Sequence, residues 1–95
     1  MRLSTIEADA IREEVSRLDP EAELYLYGPR TDDAARGRDI DLLVVSDKLA
    51  LRDVLRLRIR ILDRIGWHQL DLMARRRNQL DDTIATLAKE TGQKL

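Results

Sequence analysis

The chain has 95 residues, a length that fits one compact domain and leaves no material for a second core. Apolar residues make up 43% of it but aromatics only 3%, so the core must come from Leu, Ile and Val; with no cysteine, disulfides, thiolate zinc sites and cysteine nucleophiles are excluded and a reducing cytoplasm is the expected compartment. Seventeen basic residues face eighteen acidic ones, which removes the basic excess of a general nucleic-acid binder, and no apolar run is long enough to span a bilayer, so neither export nor membrane insertion is expected.

Ser4 followed by Glu7 fits a capping box. Ile6, Ala10, Ile11, Val15 and Leu18 then recur at helical spacing, which predicts a helix from about Thr5 to Leu18. Asp19-Pro20 ends it. Glu23-Leu24-Tyr25-Leu26-Tyr27 reads as a first strand that stops at Gly28-Pro29, and the polar run from Arg30 to Arg38 reads as a loop with room for a helical turn. Asp39-Ile40-Asp41-Leu42-Leu43-Val44-Val45 is the clearest strand in the chain.

Between Asp47 and Ile65 two periods compete. Leu55, Leu57, Ile59 and Ile61 alternate with arginines as in a half-buried strand, whereas Leu51, Val54, Leu55, Ile61, Leu62 and Ile65 share a broad helical stripe. The length without a turn signal and the stop at Gly66 favour the helix. Trp67 to Met73 reads as a third strand, and residues from about Asn78 to Glu90 as a closing helix with Leu80, Ile84 and Leu87 on one side. The expected architecture is an α/β (α+β) domain, one small mixed sheet covered by helices.

Positions two apart on a strand share a face, so Asp39 and Asp41 project together while Ile40 points to the packed side. Two carboxylates in one small space repel each other, and the arrangement gains most if a cation is held between them. Magnesium suits such hard oxygen ligands and keeps coordination positions for phosphate oxygens. Asp71, between Leu70 and Leu72, repeats the logic on another strand; taken alone it also fits the exposed face of an edge strand. If the two strands are neighbours, three acids converge, able to hold metal and to orient and deprotonate an attacking hydroxyl. Gly28-Pro29-Arg30 offers a phosphate-binding end, with close backbone approach at Gly28 and a fork of donors on Arg30.

Tyr27-Gly28-Pro29-Arg30, Asp39-Ile40-Asp41-Leu42-Leu43-Val44 and Leu70-Asp71-Leu72 together resemble the minimal nucleotidyltransferases of the polymerase-beta superfamily. Their pattern is a Gly-Ser pair after the first strand, Asp-x-Asp on the second and a third acid on a later one. Pro29 stands where the family has serine, which removes a hydroxyl and a backbone donor. The resemblance implies Asp39, Asp41 and Asp71 as metal-binding catalytic acids, with Gly28, Pro29 and Arg30 at the triphosphate of ATP. A stand-alone domain of this size looks like the antitoxin half of HEPN/MNT toxin-antitoxin pairs, which implies AMP transfer to a tyrosine of a helical HEPN ribonuclease.

Two further readings stand beside that one: an interaction module that neutralises its partner by binding alone, and a nucleotide-binding regulatory domain without transfer. His68, the only histidine, is expected to be structural, and Tyr25 and Tyr27 to be packing residues. The Arg56, Arg58, Arg60 group and Arg75-Arg76-Arg77 are expected on solvated faces or in partner contacts.

Overall fold

A computed structural model describes residues 4–27, 39–66, 69–80 and 83–95; the side chains of Asp39, Thr83 and Ile84 lie outside the description. The elements are α1 (Thr5–Leu18), β1 (Glu23–Tyr27), β2 (Asp39–Val45), α2 (Leu51–Ile65), β3 (Gln69–Arg75), a 3-10 turn (Arg77–Gln79), α3 (Thr83–Thr91) and β4 (Gln93–Lys94). The strands form one mixed sheet in the order β3-β2-β1-β4. β1 runs antiparallel to β2 and β4, and β2 runs parallel to β3, with α2 as the crossover that a parallel pair requires. The mixed α+β fold is the one expected.

α1 starts as its sequence dictates. The Ser4 hydroxyl accepts from the Glu7 amide at 3.1 Å and the Glu7 carboxylate accepts from the Ser4 amide at 3.0 Å, closing the capping box. Ile11 and Val15 are buried, but Ile6, expected on the same stripe, is exposed.

α2 settles the competition of periods. Helical geometry buries Leu57 and Ile61, and turns Leu55 and Ile59 outward although all four alternate with arginine in the sequence. Leu51 and Leu55, expected in the packed stripe, are therefore exposed. Asp53 reaches back to the Ala50 amide at 2.9 Å at one end. At the other, Gly66 takes φ +87°, the left-handed conformation that favours glycine as a helix stop.

Each face of the sheet has its own core. Leu24, Leu26, Ile40, Leu42, Val44 and Leu70 face α1 and α2 and pack with Ile11, Val15, Leu57 and Ile61. Tyr25, Leu43 and Val45 face the other way and pack with Ala88 of α3, with Tyr27, Met73 and Leu80 around them. The closing helix begins later than expected, because Arg77 to Gln79 form a separate 3-10 turn. That turn is pinned: the Arg77 amide donates to Asp47 Oδ1 at 3.0 Å and Arg77 Nη2 to the Glu21 carbonyl at 2.6 Å. Its packed side also differs. Ala85 and Ala88 are buried and Leu87 is exposed, since small residues let α3 lie close on the sheet.

β4 lies beyond any strand expected from the sequence. It pairs Lys94 with Tyr25 and Gln93 with Leu26, and the Leu95 amide donates to the Leu24 carbonyl at 2.8 Å. Asp19, at the end of α1, is buried yet accepts from the Ser46 hydroxyl at 2.6 Å and the Glu21 amide at 2.9 Å. These bonds hold its carboxyl below the usual range, with Ser46 contributing most.

Candidate active site

β2 begins with its two acids and continues as a buried apolar run, so the acids sit at the end of the sheet where packing gives way to solvent. The parallel register sets Asp41 directly beside Asp71, and Asp39 beside Gln69. Strand alternation puts Asp41 and Asp71 on the α3 side, away from Ile40, Leu42 and Leu70. On the opposite flank the antiparallel register sets Tyr27 beside Asp41. Tyr27, Asp41 and Asp71 thus form a row across three adjacent strands.

The row starts where α3 ends, with Gly92 close against Tyr27, and grows more open toward β3. Tyr27 and Asp41 are half-buried and Asp71 is exposed, so the acids have protein on one side and water on the other. Burial pushes the Tyr27 phenol up from its ordinary value, and the negative charges of Asp41 and Asp71 push it further; Arg75, in the same strand as Asp71, acts in the opposite direction. The phenol therefore registers the field of both acids. Arg75 is half-buried and its Nη1 donates to the Ala74 carbonyl at 2.8 Å.

Of the residues singled out in the sequence, Asp41 and Asp71 are brought together. Asp39 occupies the first position of β2, two residues from Asp41, and its side chain lies outside the description. Gly28, Pro29 and Arg30 lie outside the described residues, as does His68. Among the described residues no set of three acids or imidazoles closes on one point. The described pair still suits a divalent cation by its chemistry: two hard carboxylate donors side by side, open to solvent on one side.

A family model described as a nucleotidyltransferase domain matches residues 8–91. The chain belongs to that family. No curated protein and no solved structure matches it. The mixed sheet and the three helices are thus those of a nucleotidyltransferase domain of the polymerase-beta superfamily, with a general role in nucleotidyl transfer. Among the described residues no helix of this nucleotidyltransferase domain is long and apolar enough to cross a membrane.

Two residues at the site were not legible as such. Tyr27 was expected to pack, and it does pack at the edge of the α3-side core, but it also flanks Asp41. Its position two residues after Tyr25 in a strand was the available signal, since it assigns the face but not the neighbour. Tyr25 is a packing residue as expected, buried and donating to the Glu23 carboxylate. Arg76 and Arg77 are exposed as expected, Arg77 also held by Asp47 and the Glu21 carbonyl, whereas Arg75 is half-buried near Tyr27.

Proposed function

We propose that this nucleotidyltransferase domain transfers AMP from ATP to a hydroxyl, a tyrosine, of a helical ribonuclease of the HEPN type and thereby neutralises it. The observation that carries the reading is the register of Asp41 beside Asp71, which gathers acids from two strands on one solvent-open face. The resemblance of the Asp39-Ile40-Asp41 and Leu70-Asp71-Leu72 segments to minimal nucleotidyltransferases supports transfer to a hydroxyl.

In this reading Asp39, Asp41 and Asp71 would hold magnesium. A divalent ion there supplies positive charge to the phosphate oxygens and to the departing pyrophosphate. Asp71 takes the proton of the incoming hydroxyl, and its exposure leaves that approach open. The hydroxyl oxygen forms a bond to the α-phosphorus. The bond from that phosphorus to the bridging oxygen breaks, and pyrophosphate leaves with the electron pair. Gly28, Pro29 and Arg30 steady the triphosphate, Arg30 as a fork of donors.

A second reading, neutralisation by binding alone, is favoured by one observation: Pro29 replaces the serine of the family and removes a hydroxyl and an amide donor. The amount needed for neutralisation separates the two. A catalyst with ATP and magnesium silences an excess of the ribonuclease, and Asp41→Asn abolishes this effect. A binder needs equal amounts, requires no ATP and is unaffected by Asp41→Asn.

A further inference from the structure

α2 carries two apolar stripes and the sheet uses one of them. Leu57 and Ile61 are buried in the core. Leu51, Leu55 and Ile59, four residues apart, form a second ridge and are 75%, 55% and 65% exposed. Isolated exposed leucines are ordinary on protein surfaces, but three in register over about 12 Å of helix make a contiguous apolar face. The ridge borders β3, which is an edge of the sheet. At the Leu51 end of the ridge a groove of about 430 Å³ opens against β3, lined by Leu49, Leu51, Val54, Leu72, Met73 and Arg75.

The charges flanking this ridge are basic from Arg52 to Arg60, and the exposed Asp63, four residues after Ile59, closes it. Arg52, Arg56 and Arg60 each follow a ridge residue by one position and are exposed, forming a basic row parallel to the apolar one. On the other flank Arg58 is exposed, with its Nε directed at the Leu70 carbonyl at 3.4 Å. Arg64 belongs elsewhere, paired with Glu13 at 2.8 Å and Glu14 at 3.2 Å. Asp53 is occupied at the Ala50 amide, and Asp63 is the remaining acid of the helix.

We propose that the outer face of α2 docks an amphipathic helix of a partner protein, whose apolar stripe covers Leu51, Leu55 and Ile59 and whose flanking acids meet Arg52, Arg56 and Arg60. A ridge of residues four apart beside a groove is the surface that ridges-into-grooves packing of a second helix requires. A second copy of this chain fits less well, because a two-fold pairing of these faces brings the arginine rows toward each other. α2 covers the face of the sheet opposite Asp41 and Asp71, and Leu51, Leu55, Ile59 and the arginines beside them have no part in the transfer reading, so each can fail alone.

The test uses the full chain and a synthetic helical peptide of about three heptads, leucine at the apolar positions and glutamate on both flanks, with a lysine-flanked peptide as control. Fluorescence anisotropy is read at concentrations where each peptide alone is monomeric. The acidic peptide is expected to bind saturably, and to bind about tenfold or more weakly to Leu55→Ser/Ile59→Ser and to Arg52→Glu/Arg56→Glu. Added salt weakens binding, and the lysine peptide does not bind. Circular dichroism of both variants should match the parent, since the four side chains are exposed. Absence of binding, equal affinity for the two peptides, or unchanged affinity in the variants overturns the proposal. A dimer of the parent chain that Leu55→Ser dissolves also overturns it, and assigns the face to a second copy.

Discussion

Asp41 and Asp71 occupy matching positions on two parallel neighbouring strands, so their carboxylates share one face of the sheet with no strand between them. Neighbouring strands lie about 4.8 Å apart, a distance at which two negative charges repel by about 1 kcal/mol when water screens them fully. Asp41→Asn should therefore leave the ligand-free domain as stable as before or more stable by up to about 1 kcal/mol, the reverse of the usual loss on substitution at a half-buried position. Urea unfolding of the two proteins measures this. A loss of stability on Asp41→Asn would mean that the acid is a structural partner.

Tyr27 should report the same pair from the other side. Its phenol is raised by burial first and by Asp41 and Asp71 next, with Arg75 opposing. Asp71→Asn removes one of the raising charges, so the phenol should ionise at lower pH than in the parent; Arg75→Ala should move it higher. Ring-carbon NMR shifts followed through alkaline titration distinguish Tyr27 from Tyr25, whose burial and bond to Glu23 push it up to about 12. No response of Tyr27 to Asp71→Asn would contradict the row across the three strands.

Leu57→Ala should cost about 2 to 4 kcal/mol, while Leu55→Ala should cost under about 0.5 kcal/mol, because the first side chain is fully buried and the second is exposed. Equal losses at the two positions would instead fit the alternating strand that the sequence also allows.

The buried Asp19 makes stability depend on acid pH. Its carboxyl is held below the ordinary 3.8 chiefly by the Ser46 hydroxyl, so in the native state it stays ionised where the unfolded chain takes up a proton. The stabilisation is in full force above pH 3.8 and is lost as pH falls through that value toward the lowered native one. Ser46→Ala should cost about 1 to 3 kcal/mol at neutral pH, and the gap from the parent should narrow in acid. A gap independent of pH would separate Asp19 from the effect.

Much of this was legible where local rules act alone. The capping box at Ser4 and Glu7, the limits of β1 and β2 and the stop at Gly66 follow from nearest neighbours along the chain, and they stand as read. Relations between strands were less accessible. The sequence shows three acids, but only the parallel register sets Asp71 beside Asp41, and only the antiparallel register sets Tyr27 on its other flank. β4 is invisible in advance because Gln93 and Lys94 have no strand preference of their own and gain it by pairing with β1. Leu87 was misplaced for a similar reason: α3 approaches the sheet through Ala85 and Ala88, a choice made by the space above Tyr25, Leu43 and Val45.

The most direct test of the transfer reading is intact-mass spectrometry of the chain and a helical HEPN-type partner after incubation with ATP and magnesium. The account predicts a gain of one or more AMP units on the partner, absent with Asp41→Asn and with Asp71→Asn while both variants remain folded. An unchanged partner mass in the presence of a stable complex, or undiminished AMP addition by the two variants, would contradict it.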